Sequence, residues 1–95
     1  MPNSAEIKDF IKENSALLWY IPNDKKEDIS HEILVEFILN YGNDKSVKKL
    51  FNLLGINYVA NIFYKQINLK RINYFPQVVN FFKLYFKRHV HQYSE

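Results

Sequence analysis

A chain of 95 residues has room for one hydrophobic core and so for one domain, and its 47 % hydrophobic and 17 % aromatic content is enough to build that core. It has no cysteine, which excludes disulfides, thiolate metal sites and a cysteine nucleophile together. The net charge of +3 hides an asymmetry: residues 1–44 carry nine Asp/Glu against four Lys/Arg (net −5), residues 45–94 carry nine Lys/Arg and no carboxylate (net +9), and Glu95 completes the sum.

Eleven of the thirteen basic residues are lysine, a bias that AT-rich codons produce unaided. The absence of carboxylates from residues 45–94 is the more informative feature. No apolar run approaches the roughly 20 residues of a bilayer-spanning helix, and Met1 to Glu13 lacks the apolar core of a signal peptide. The expectation is a cytoplasmic protein without membrane association.

In chain order, Ser4 is placed to cap a short helix with the stripe Ile7, Phe10, Ile11 and with Glu6 at the positive end of its dipole. Asn14 and Ser15 interrupt it. The run Ala16 to Ile21 stops at the turn signal Pro22-Asn23-Asp24 and reads as a hydrophobic arm on the core, with Trp19 as its anchor. Asn23 to Asp28 reads as a charged loop. Asp28 or Ser30 caps a second helix whose face is Ile33, Leu34, Phe37, Ile38 and Tyr41; Val35 and Leu39 widen it, so burial on more than one side is expected. Gly42 stands where a left-handed cap belongs.

Asn43 caps a third helix with Asp44 at its first position and the stripe Val47, Leu50, Phe51, Leu54. Gly55 ends it. Asn57 is the expected cap of a fourth helix carrying Val59, Ala60, Ile62, Phe63 and Ile67. Asn68 to Phe75 links to the closing helix, which starts at Pro76, where a missing N–H costs nothing. Its face is Val78, Val79, Phe82, Tyr85, Phe86 and His89, widened by Phe81 and Leu84. The fold class is all-α: one domain over residues 1–95, a bundle of four to five helices, with an acidic arm and loop (1–29) and a helical core (30–90).

Two helices around a glycine at 43–65 form a helix-turn-helix-like unit, in which the helix after Gly55 would read the major groove through Asn57, Asn61 and Lys65. Lys48, Lys49, Lys70 and Arg71 would add phosphate contacts. The same basic half suits an acidic protein partner, with Lys83, Lys87 and Arg88 of the closing helix as the contact. It also reads as a solvated surface balanced by the acidic half. His89 and His91 form an H-x-H pair, but residues two apart on a helix point apart, and the dipole explains a histidine there. No metal or cofactor site is expected. The serines sit mostly at helix starts, and the carboxylates Asp24, Glu27, Asp28, Glu32 and Glu36 lie beside no nucleophile, so no catalytic residue is assigned and no enzyme is expected. Sixteen aromatics in so short a chain also leave self-association open.

Two stretches carry a resemblance. One is Ile33-Leu34-Val35-Glu36-Phe37-Ile38-Leu39-Asn40-Tyr41-Gly42-Asn43, followed by Lys48-Lys49-Leu50-Phe51-Asn52-Leu53-Leu54-Gly55. The other runs from Leu69-Lys70-Arg71 through Asn80-Phe81-Phe82-Lys83-Leu84-Tyr85-Phe86. Preceded by Leu18-Trp19-Tyr20, this order resembles the small helical antitoxin-like proteins encoded beside nucleotidyltransferase-like toxins of the abortive-infection type. The resemblance spans roughly residues 16–86. It implies a non-enzymatic module that binds and neutralises a bacterial toxin enzyme, and it carries over no catalytic residue. The alternative is a small helix-turn-helix DNA-binding regulator.

Overall fold

Local chemistry sets the helix starts in a computed structural model that describes residues 3–19 and 21–90. Ser4 accepts a hydrogen bond from the Ile7 N–H (3.3 Å) and opens α1, Ala5–Glu13. Ser30, not Asp28, does the same for α2, His31–Tyr41, through the Ile33 N–H (3.2 Å). Asn43 caps α3, Asp44–Leu54, through the Ser46 N–H (2.9 Å). Then follow α4, Ile56–Ile67, and α5, Pro76–His89, which has proline in its first turn. These five α-helices and two 3-10 segments, Ser15–Leu18 and Asn23–Asp28, are the regular structure among the described residues.

The fold is all-α, and one core cluster draws on all five α-helices. Phe10, Ile11 and Leu18 belong to it together with Leu34, Val35, Leu50, Val59, Phe63 and Phe86. The core therefore begins well before residue 30, and the acidic N-terminal stretch is folded into it. The radius of gyration of 13.1 Å is close to the roughly 12 Å of a packed chain this long.

Several sequence expectations change. Trp19 does not anchor the Ala16–Ile21 run; it is 77 % exposed, and Leu18 is the buried residue. Trp19 is the residue after the 3-10 segment and points about 120° away from Leu18, on the solvent side. Asn23–Asp28 is a 3-10 helix packed against α1, not an open loop. Lys12 and Glu27 pair across that contact (3.4 Å), and the Asn3 side chain donates to the Glu27 and Ile29 carbonyls (2.8 and 3.1 Å). On α2 the buried residues are Leu34, Val35, Phe37, Ile38 and Leu39, while Ile33 and Tyr41 at the edge of the stripe are exposed.

Gly42 has φ −76° and is not a left-handed cap. Its role is spatial: a Cβ there would stand 2.6 Å from the Ile38 carbonyl oxygen and 2.5 Å from Ser46 Oγ. Gly55 is the glycine that needs positive φ, at +89°. It ends α3 by donating to the Phe51 carbonyl (2.8 Å) and begins α4 by accepting from Val59 (3.1 Å). Because α4 starts directly at Ile56, Asn57 lies inside its first turn and does not cap it. Gly55→Ala is expected to cost about 1–3 kcal/mol of stability from backbone strain alone, since the space around it is open. A urea titration measures this; an unchanged midpoint would show that the turn relaxes freely.

The link between α4 and α5 is held by side chains of α2 and α4. Asn40 donates to the Asn73 carbonyl (3.0 Å) and accepts from the Phe75 N–H (3.2 Å). Asn73 donates to Glu36 (3.2 Å). Gln66 donates to the Glu32 carbonyl (2.9 Å) and accepts from the buried Tyr74 hydroxyl. This clamp fixes where α5 begins. Phe82 and Phe86 then reach Phe63, with ring centroids 6.2 and 5.4 Å away.

Candidate functional site

Helix α5 is amphipathic in an unusual way, because its apolar sector is wider than the core can cover. Phe82 and Phe86 are buried, and Val78, Val79 and Tyr85 are half-buried. Phe81 and Leu84 are each 58 % exposed. The sequence reading placed them in a single broad face; the structure divides that face. Gln77, Phe81, Leu84 and Arg88, at spacings of four, three and four, form a solvent-facing stripe of their own. That spacing was visible in the sequence, but the run of neighbouring aromatics masked it.

Beside the stripe lies a hollow of about 330 Å³ between α5 and the junction of α2 and α3. Leu39, Val47, Val78, Phe81, Phe82 and Tyr85 supply its apolar wall, and Asp44 and Lys48 are the charged groups lining it. Asn40 at the end of α2 grips the start of α5, and Phe51 late in α3 touches Tyr85 and Phe86 at 5.6 and 5.8 Å between ring centroids. Helices α3 and α5 therefore run in the same sense, and Asp44 stands at the Gln77 end.

The basic residues are exposed but do not form one patch. Lys83 and Lys87 are one turn apart on the flank of α5 away from the hollow. Arg88 is turned about 100° from Lys87 and continues the Phe81–Leu84 stripe. Among the nucleic-acid candidates, Asn57, Asn61 and Lys65 share the outer side of α4; Asn61 and Lys65 line a second hollow with Tyr58, Leu69 and Glu32. Lys70 and Arg71 follow in the link. Lys48 faces the α5 hollow instead, and Lys49 pairs with Glu13 (3.1 Å) at a third. The expected phosphate-binding set is thus divided among separate surfaces, and a carboxylate sits within the α4 group. Among the described residues, Lys49 alone of the nine basic residues of the C-terminal half is ion-paired. Among the described residues, direct ion pairing between the two halves is this one contact, and Glu32 stands beside Lys65 at the second hollow.

His31 and Tyr58 join the starts of α2 and α4 through an exposed hydrogen bond (2.8 Å) and an edge-on ring contact. His89 packs on Tyr85 with ring centroids 4.4 Å apart; His91 lies outside the described residues. No group of three or more metal-ligating side chains occurs among the described residues, and no helix there is long and apolar enough to cross a membrane. Among the described residues, Tyr74 has the one strongly displaced pKa: burial first, and the Glu36 carboxylate second, push its phenol well above the ordinary tyrosine value. Its place in the α2–α5 clamp makes that a matter of stability. No family model matches the chain, and neither a curated protein nor a solved structure matches it.

Proposed function

We propose that this protein is a non-enzymatic binding module, an antitoxin-like partner that neutralises a bacterial toxin enzyme in the manner of the helical proteins its sequence resembles. The observation that carries the reading is the outer side of α5. Among the described residues Lys83 and Lys87 have no ion-pair partner; they stand there one turn apart, beside exposed Leu84. A helix fixed by buried Phe82 and Phe86 presents these groups on a rigid support, which limits the ordering cost of docking. Two exposed cations next to an exposed apolar side chain favour an acidic protein partner by raising the association rate and suppressing wrong registers.

The test is capture from host lysate on immobilised protein, split between nuclease-treated and untreated portions. The expected result is a stoichiometric enzyme that survives nuclease and loses activity when this chain is added. Lys83→Glu with Lys87→Glu should weaken that complex about tenfold or more. Unchanged affinity in the double variant would exclude this flank as the contact. Recovery of nucleic acid alone, released by salt, would favour the DNA-binding regulator acting through Asn57, Asn61 and Lys65.

A further inference from the structure

The solvent-facing stripe of α5 runs from Gln77 through Phe81 and Leu84 to Arg88 at the spacing of four, three and four common to one-sided helix stripes. A two-fold axis between Phe81 and Leu84 therefore brings Phe81 to Leu84 and Gln77 to Arg88 of a second copy. We infer that this stripe is covered by a second copy of the chain, with the two α5 helices packed antiparallel. This goes beyond the proposed toxin contact and does not depend on it; because it covers Leu84 and the edge at Lys87, toxin binding and dimerisation would compete.

In that arrangement Phe81 meets Leu84 of the second copy, twice, at the centre of an isologous interface. Val78 and Tyr85 meet along one edge, and Asn80 meets Lys87 along the other. At each end Gln77 meets Arg88 of the second copy. That end of the hollow also holds Asp44, the one carboxylate lining it. Neither Asp44 nor Arg88 has an ion pair within the chain among the described residues, so each is available to the other across the axis.

Charge selects the orientation. Parallel packing would set Arg88 on Arg88 and Lys87 on Lys87 with no carboxylate nearby. Antiparallel packing separates the two Arg88 positions by about 16 Å along the helices, beyond the screening length of about 8–10 Å at ordinary salt. Lys83 lies on the opposite flank, so dimerisation leaves it accessible. A stripe along one helix of 14 residues is a small interface, which places the dimer in roughly the micromolar range.

Sedimentation equilibrium of the full chain over about a hundredfold concentration range tests this. The expected result is a reversible monomer–dimer equilibrium. Leu84→Glu, at an exposed position, should weaken it about a hundredfold because the change enters the interface twice. Arg88→Asp and Asp44→Arg should each weaken it about tenfold, and the two together should restore it to within about threefold of the parent. Circular dichroism confirms that each variant remains helical. A monomer at every concentration, or a dimer indifferent to Leu84→Glu, would overturn the inference. Additive loss in the charge-exchanged double variant would overturn the antiparallel register.

Discussion

Phe63→Ala is expected to destabilise the protein by about 3–5 kcal/mol, enough to consume much of the stability of a domain this small. Phe63 is fully buried, with its ring against Tyr64, Tyr74, Phe82 and Phe86 at 5.5, 5.1, 6.2 and 5.4 Å between centroids. It is the point where α4, the link and α5 meet. Truncation leaves a cavity among rigid rings that cannot collapse inward, and it also removes edge-to-face contacts worth about 0.5–1.5 kcal/mol each. Phe81→Ala is the control. It lies next to Phe82 in sequence yet outside the core, and should shift stability by no more than about 0.5 kcal/mol. Urea titrations at low protein concentration measure both; a cost below about 1 kcal/mol for Phe63→Ala would mean that α5 is not held by this cluster.

Alkaline pH is expected to destabilise the protein through Tyr74. Its pKa in the fold is raised above the ordinary phenol value, so the folded chain keeps a proton that the unfolded chain releases above about pH 10. The contribution is complete below that pH. As pH rises further, the unfolded state binds fewer protons than the native one and stability falls by about 1.4 kcal/mol per pH unit. Tyr74→Phe should remove this slope while costing about 0.5–1.5 kcal/mol near neutrality for the lost hydrogen bond to Gln66. Urea midpoints measured at several pH values for both proteins give the comparison. Equal slopes above pH 10 would show that the phenol ionises within the fold.

The limits of reading the sequence follow from what each feature depends on. Periodicity identifies how wide an apolar sector is, but not which edge of it meets the core. On α2 this misplaced Ile33 and Tyr41, and on α5 it merged Phe81 and Leu84 with Phe82 and Phe86. The candidate basic residues were identifiable by type, and their exposure followed. Their grouping was not legible, because Lys83, Lys87 and Arg88 are neighbours in sequence but span more than one side of a helix. The pairing of Lys49 with Glu13 links residues 36 positions apart, which no local pattern announces.

Local chemistry along the chain was enough for the helical class and nearly every helix start. Ser4, Ser30 and Asn43 cap through N–H groups three residues away, Pro76 opens α5 through its own ring, and Gly55 marks the junction of α3 and α4. Each of these is settled within about one turn of chain, where composition is sufficient. The tertiary structure alone decided that Leu18 and not Trp19 enters the core, and that Asn40, Gln66 and Tyr74 clamp the link ahead of α5. It alone left Phe81 and Leu84 in solvent beside Arg88. Those outcomes depend on which surfaces compete for a core of finite size, and that competition is between residues far apart in the chain.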